Sequence, residues 1–192
     1  MISAAGDRLQ ETDRGGPVLH PKASAGSVEE WFSAYESELG KYLVQFVRDR
    51  ALAEDLLQET FHDAYRARRA LPTIRNPRAW LYGIARKHAL GALRRQRRLD
   101  RAIARLVLRN EQPAAIDRRA AAILNLLEDT LAPEDRALVL LRYLHGFDAN
   151  ELAEMTGRSP AAVRQRLSRA RTRLLEGAAE REDLVPDEGS WK

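Results

Sequence analysis

The protein contains no cysteine, so disulfide bonds and thiolate metal sites are excluded. Aromatic residues make up only 6% of the chain. No apolar run approaches the roughly 20 residues that a membrane-spanning helix needs, and the polar N-terminus lacks the apolar core of a secretory signal. We therefore expect a cytoplasmic protein without membrane insertion.

The chain also lacks the residue spacing of a catalytic or metal centre. Its four histidines are dispersed: His20, His62, His88 and His145. No two of them have the spacing of a zinc-binding helix. Four carboxylates, Glu54, Asp55, Glu59 and Asp63, suggest a metal site only by their number. We expect no enzyme activity, no metal and no cofactor.

Charge of one sign is scarce in two parts of the chain. Residues 29–63 hold nine acidic and three basic residues, whereas residues 86–109 hold nine basic residues and only Asp100 as an acid. The net charge of +4 hides this division. One helical domain with an acidic first part and a basic last part indicates two different binding partners.

A third stretch lacks acids altogether, because residues 158–173 contain six arginines and no carboxylate. Ordinary pairing along a solvated helix cannot explain such a set. Just before it, Gly157 suits a turn, Ser159 suits a helix N-cap and Pro160 suits the first helical position. A buried stripe follows at helical spacing: Val163, Leu167, Ala170 and Leu174. The pattern predicts a DNA-binding helix-turn-helix whose short first helix buries Leu152 and Ala153.

Helical periodicity extends over most of the chain and predicts an all-α protein of two small helical domains joined by a flexible linker. The expected divisions are a disordered extension at 1–27, a first domain at 28–98, a linker at 99–117, a second domain at 118–177 and a polar tail at 178–192. No sequence repeat is evident.

Two separate blocks resemble a known family. Residues 53–65 (AEDLLQETFHDAY), 77–86 (PRAWLYGIAR) and 93–95 (LRR) closely resemble region 2 of bacterial sigma factors. Residues 131–136 (LAPEDR) and 143–147 (YLHGF), leading into the helix-turn-helix, resemble region 4. The extracytoplasmic-function class is the most similar group, and the resemblance covers residues 28–177.

The resemblance implies a transcription initiation factor that binds core RNA polymerase and directs it to promoters. The second helix would dock on the clamp of the largest subunit, and the second domain on the flap of the second-largest. The residues implied for clamp binding are Asp55, Leu56, Gln58, Glu59 and Phe61. The alternative is that the acids among them are solvated surface charge.

The third helix would bind and melt the minus-ten promoter element, which lies nearest the transcription start. The implied residues are Arg75, Asn76, Trp80, Tyr82, Arg86, Lys87, Arg94, Arg95, Arg97 and Arg98, suited to phosphate contacts and to bases. For Trp80 a core position is the stronger expectation. Relatives often carry Asn and Asp where this chain has Lys87 and Gly91, so the resemblance does not assign which minus-ten base this chain reads.

The helix-turn-helix would bind the minus-thirty-five element. The implied contacts are Arg158, Ser159, Ala161, Arg164, Gln165, Ser168, Arg169 and Arg171. Arginine and glutamine can make paired hydrogen bonds to guanine and adenine. Ala161 and Gln165 depart from the usual family residues, so this chain should have its own preference.

Three alternatives compete with this interpretation. A stand-alone helix-turn-helix regulator would bind a palindrome as a dimer, but leaves residues 53–65 unexplained. An enzyme would need a catalytic or metal site, and this sequence shows no residue pattern for one. An adaptor that mimics a sigma factor would not need an intact basic helix. Sigma factors of this class are commonly inhibited by an anti-sigma factor, so such a partner is expected here, and the linker is expected to thread towards the polymerase cleft.

Overall fold

Seven helices and no strand are formed by the residues that the computed structural model describes, 27–67, 74–103, 118–179 and 181. The helices are α1 (Val28–Val47), α2 (Arg50–Arg66), α3 (Pro77–Ile103), α4 (Arg118–Thr130), α5 (Pro133–Tyr143), α6 (Ala149–Thr156) and α7 (Pro160–Ala179). The all-α prediction is confirmed. Of the predicted extension, linker and tail, residues 1–26, 104–117, 180 and 182–192 lie outside the described residues, whereas residues 99–103 and 178–179 belong to α3 and α7.

Local sequence determines where the helices begin and end. The Ser27 hydroxyl accepts from the backbone N–H of Glu30 while the Glu30 carboxylate accepts from that of Ser27, which forms a capping box before α1. In the helix-turn-helix, Gly157 has φ 64° and the Ser159 hydroxyl accepts from the Ala162 N–H at 3.2 Å. The predicted roles of Gly157 and Ser159 are therefore confirmed.

The N-terminal domain packs α1, α2 and α3 against one another. Its centre is formed by fully buried side chains of all three helices, among them Tyr42, Phe46, Leu56 and Leu81. Helix α3 continues to Ile103, five residues past the predicted end of the domain at 98. The basic cluster at its end therefore lies on continuous helix.

The C-terminal domain packs α4 and α5 on the helix-turn-helix pair α6 and α7. Of the predicted stripe, Val163, Leu167 and Ala170 are buried and Leu174 is partly buried against the core. The same hydrophobic cluster includes Leu141 and the predicted Leu152. The stripe thus fixes which side of α7 is left for solvent.

The two domains also pack on each other, which the sequence did not predict. Helix α3 contacts α5 and α6, and α1 contacts α5. Buried side chains of both domains form one continuous hydrophobic cluster. The predicted minus-ten face of α3 is therefore partly covered by the C-terminal domain.

Candidate nucleic-acid and polymerase interfaces

An acidic row runs along the outer face of α2. Asp55, Gln58 and Glu59 are exposed, and their spacing of three and four residues puts them on one side of the helix. Leu56 and Phe61 are buried, so the structure does not place these two predicted contacts on the surface. The apolar side of α2 faces the core because these residues, with Ala53 and Ala64, recur at helical spacing.

His88 of α3 contacts two carboxylates of α2, one of which belongs to this row. Its Nδ1 lies 3.3 Å from Glu59 Oε2, and its Nε2 lies 3.0 Å from Asp63 Oδ2. The ring is partly buried, whereas the carboxylate of Glu59 remains largely exposed. His88 therefore holds Glu59 and Asp63 of α2 against α3.

The described basic residues predicted for the minus-ten element differ in accessibility. Exposed members are Arg75, Lys87, Arg94, Arg95, Arg97 and Arg98, while Arg86 is partly buried. Burial lowers the pKa of the Arg86 guanidinium. The exposed set extends over one long helix and the loop before it.

A cavity of about 520 Å³ opens beside the start of α3. Its walls include Arg75, Asn76, Trp80 and Lys87 from the N-terminal domain and Met155 from α6. Trp80 is partly buried and meets Trp31 edge to face, with ring centroids 6.0 Å apart. One side of Trp80 thus packs in the domain, as predicted, and it also lines the cavity.

Tyr82, the second aromatic residue predicted for base stacking, is fully buried. Its hydroxyl lies 3.0 Å from Nδ1 of His145, in the turn after α5, and its ring packs on Phe147 with centroids 4.8 Å apart. The structure therefore does not bring Tyr82 to the surface of α3. Base stacking by this ring requires separation of the two domains.

Arg78 forms the polar centre of the domain interface. Its guanidinium pairs with Glu38 of α1, donates to the backbone oxygen of His145 at 2.7 Å, and lies 4.1 Å from the ring centroid of Phe147. Nε2 of His145 lies 3.1 Å from Oε1 of Gln45. The turn after α5 is thereby held by both α1 and α3.

Burial controls the ionisation of this cluster. It lowers the pKa of His145 to about 4; the Arg78 charge acts in the same direction and Glu38 opposes it. For Glu38, burial raises the pKa, but hydrogen bonding and charge from Arg78 outweigh it and leave the pKa lowered. Burial raises the pKa of the Tyr82 hydroxyl. The contact therefore contains a neutral histidine and a charged Arg–Glu pair at neutral pH.

Acidic side chains of the C-terminal domain face polar groups of α3. Asn76 donates from Nδ2 to Glu151 Oε1 at 2.8 Å, and Arg94 lies 3.9 Å from Glu134. Asn76 also accepts from the Ala79 N–H and so caps α3. Residues predicted to bind promoter DNA are thus engaged by carboxylates within the chain.

The outer side of α7 carries the third set of predicted contacts. All of them are exposed: Arg158, Ser159, Ala161, Arg164, Gln165, Ser168, Arg169 and Arg171. Two further arginines, Arg166 and Arg173, face Asp135 of α5. The helix therefore presents a polar, cationic surface to solvent.

Sequence reasoning missed the cross-domain residues Glu38, Arg78 and His145, and the pair Asp135 and Arg166. Their partners lie 31 to 100 residues apart along the chain, so periodicity contains no sign of them. One signal was available for Arg78. A cation in the first turn of a helix opposes the helix dipole and calls for an acidic partner.

Within the described ranges no helix is long and apolar enough to cross a membrane. Over the same residues, no group of three or more His, Cys, Asp or Glu side chains is arranged to hold a metal ion.

Comparisons with known proteins agree with this architecture. A family model for sigma-70 region 2 matches residues 31–99, and one for sigma-70 region 4 matches residues 121–174. The chain is 33% identical over 151 residues to the RNA polymerase sigma factor CarQ of Myxococcus xanthus, covering 77% of this chain and 87% of that protein. It is 27% identical over 152 residues to the ECF RNA polymerase sigma factor SigM of Bacillus subtilis, covering 77% and 93%.

A solved structure shows the same fold. The sigma factor RpoE of Bartonella quintana, determined in complex with the anti-sigma factor NepR, matches with a TM-score of 0.64 at 22% identity, over 79% of this chain and 96% of that one. The chain belongs to the sigma-70 family of RNA polymerase sigma factors, and within it to the extracytoplasmic-function group.

The function follows from this membership. The protein is a transcription initiation factor that binds core RNA polymerase and directs it to promoter DNA. Members of the family are initiation factors and not enzymes. The same matches leave the stand-alone regulator without support, because region 2 accounts for the N-terminal domain.

Proposed function

We propose that three surfaces divide the work of this sigma factor. The exposed row of α2 docks on the polymerase clamp, α3 and the loop before it hold the minus-ten element, and α7 reads the minus-thirty-five element. The observation that carries the proposal is the separation of charge, with acids exposed on α2 and arginines exposed along α3 and α7. Acidic groups suit a basic protein partner, and arginines suit phosphates and guanine.

The docking row is testable by charge removal. The replacements Asp55→Ala and Glu59→Ala are expected to weaken binding to core polymerase, because both carboxylates are exposed. Within the described residues, Glu59 contacts His88. Glu36→Gln, which removes an exposed acid from α1, is the matched control. Binding to core polymerase is measured by competition with labelled wild-type protein. If Asp55→Ala and Glu59→Ala bind as tightly as Glu36→Gln and the wild type, docking through this row is excluded.

The cavity beside α3 supports capture of a base from separated DNA. It is large enough for a nucleobase, and Arg75, Asn76 and Trp80 supply a cation, an amide and an aromatic face. The stretch of arginines from Arg94 to Arg98 lies along the same helix, where it can follow a strand. Melting then proceeds by binding energy, without nucleotide hydrolysis.

The closed arrangement of the domains must open for this step. Asn76 is paired with Glu151, and Tyr82 is covered, so promoter binding and domain contact use the same groups. The interface also leaves buried donors, including Nη1 of Arg78 and Nε of Arg136, without hydrogen-bond partners among the described residues. Unpaired buried donors weaken a contact, which suits one that polymerase binding separates.

Because the chain has no cysteine, a single engineered disulfide can test this opening. A side chain at Gly83 would lie about 4.0 Å from Met155 Cγ, so Gly83→Cys and Met155→Cys bring two thiols together across the interface. The oxidised double variant is expected to lose promoter melting and to regain it on reduction. Each single variant serves as the control, and full activity of the oxidised protein would contradict the requirement for opening.

The remaining partners follow from the same scheme. We infer that the C-terminal domain also binds the polymerase flap, that the protein acts in the cytoplasm and that an anti-sigma factor restrains it. The solved relative from Bartonella quintana was captured with such an inhibitor. In this scheme the chain itself catalyses no reaction. Co-purification from the host, with and without an inducing stress, tests the inhibitor.

A further inference from the structure

The carboxylate of Asp135 holds one arginine of the recognition helix in place. Arg166 reaches Oδ1 of Asp135 with Nε at 2.7 Å and with Nη2 at 2.6 Å, and Nη1 of Arg173 lies 3.9 Å from Oδ2. The side chain of Asp135 is 15% exposed and that of Arg166 is 23% exposed. A pair so far removed from solvent, with two donors on one acceptor, is geometrically fixed.

This pair lies on one wall of a cleft of about 430 Å³ between α5 and α7. The cleft is lined by four arginines and a single carboxylate, and it also includes Gln165. Its net positive charge and guanidinium donors match the chemistry of a phosphate group. Arg164 and Ser168 are not part of the cleft, although both are exposed on α7.

Arginine contacts to DNA serve two purposes that a sequence cannot separate. Contacts to phosphate fix the register of a protein on the duplex, whereas contacts to base edges select the sequence. An arginine that is free to extend is the commonest reader of guanine. Arg166 is not free to extend, because Asp135 engages its Nε and one of its terminal nitrogens.

We propose that Asp135 is a specificity-determining positioning residue: it holds Arg166 as a phosphate anchor at the edge of the minus-thirty-five element and keeps it away from the bases. Base selection is then left to side chains of α7 outside the cleft, such as Arg164 and Ser168. The inference rests on the proposed function of α7, and it assigns a role to a residue of α5 that does not itself read a base.

The test is selection of DNA by the complete holoenzyme from a pool with a randomised minus-thirty-five element. Asp135→Asn is expected to broaden the selected sequence, or to add a guanine preference next to it. Its preference for the selected over a scrambled element should fall about tenfold, the scale of one bidentate contact. Glu176→Gln, which removes an exposed acid from α7 without touching Arg166, should select the wild-type sequence.

A second variant keeps the test decisive if Asp135→Asn fails to fold. Arg166→Ala should weaken binding to selected and scrambled elements by the same factor and leave the selected sequence unchanged, because a phosphate anchor carries no base preference. A changed sequence with Arg166→Ala, or an unchanged one with folded Asp135→Asn, overturns the proposal. If wild-type holoenzyme selects no sequence at all, the proposed function of α7 fails instead.

Discussion

The hydroxyl of Tyr82 lies 3.0 Å from Nδ1 of His145, and this contact joins α3 of the N-terminal domain to the turn after α5 in the C-terminal domain. Both side chains are buried, and the other nitrogen of the imidazole is engaged by Gln45 of α1. A residue predicted to meet DNA is thus occupied by the neighbouring domain. The state of this one contact reports whether the two domains are together.

The domain contact should weaken as the pH falls. Burial holds the pKa of His145 near 4, whereas an exposed histidine has a pKa of about 6.5, so the separated form binds the proton more readily. The contribution of neutral His145 to closure is fully present above pH 6.5 and is lost as the pH falls towards 4. The ratio of closed to open protein should therefore drop about tenfold between pH 7.5 and 5.5.

Fluorescence energy transfer can follow this change. Fluorophores on Ser37→Cys and Asn150→Cys, both exposed, report the distance between α1 and α6. His145→Gln keeps a polar side chain and cannot titrate. The groups facing His145 are Glu38, Tyr42 and Gln45 from α1 and Arg78 and Tyr82 from α3. An identical pH response with His145→Gln would assign the effect to one of those groups.

The Arg78–Glu38 pair should respond unequally to removal of its two members. The side chain of Arg78 is 4% exposed and that of Glu38 is 37% exposed. Glu38→Ala leaves a buried cation without its carboxylate and is expected to cost about 3 kcal/mol. Arg78→Met leaves a carboxylate that water can reach, but it also removes the donor to the backbone oxygen of His145, so it should cost about 2 kcal/mol. Urea unfolding measures both values, and equal costs would contradict the burial argument.

Gly177 should not tolerate a methyl group, although it lies within a helix. An added Cβ would be 2.9 Å from Thr130 Oγ1 and 3.2 Å from Leu126 Cδ1, so these side chains would have to change conformation or α4 and α7 would have to shift. We expect Gly177→Ala to destabilise the protein by about 1–3 kcal/mol, despite the better helix propensity of alanine. Thermal unfolding provides the measurement.

Gly83 is the matched control for that substitution. A Cβ there would meet only Met155 Cγ, at 4.0 Å, which is ordinary contact. Gly83→Ala should therefore be neutral or stabilising by up to about 1 kcal/mol. Destabilisation of similar size at both positions would show that close packing against α4 is not the cause.

Arg164 should contribute sequence preference rather than general affinity. It is exposed on α7, and it lies away from the cleft that contains Asp135. Arg164→Ala is expected to weaken holoenzyme binding to its preferred minus-thirty-five element by about 1–3 kcal/mol. Binding to a scrambled element should change much less. Equal weakening on both DNAs, in matched salt, would identify Arg164 as a phosphate contact instead.

The helix-turn-helix was predictable because its signals are local. Gly157 and Ser159 are selected by backbone geometry within a few residues, and the stripe from Val163 repeats at the period of a helix. The exposure of Asp55, Gln58 and Glu59 follows from the same periodicity, because patterns within one helix identify the side that must be buried. Their role in docking was implied only by the resemblance to sigma factors.

The domain interface was not predictable, because no local pattern marks it. The sequence predicts only base stacking for Tyr82, because an aromatic side chain on α3 suits that role. Only the fold shows that His145, 63 residues away, covers its hydroxyl. Similarly, six arginines in one stretch predicted DNA binding, but not that Asp135 restrains Arg166.

Run-off transcription tests the central claim most directly. Fragmented DNA from the host is transcribed by core polymerase with and without the protein, at a stated salt concentration. New discrete start sites should appear with the protein and disappear with Asp55→Ala plus Glu59→Ala or with Arg164→Ala, while Glu36→Gln supports them. Binding of the protein alone to a palindrome, with no start site that depends on core polymerase, would contradict the account.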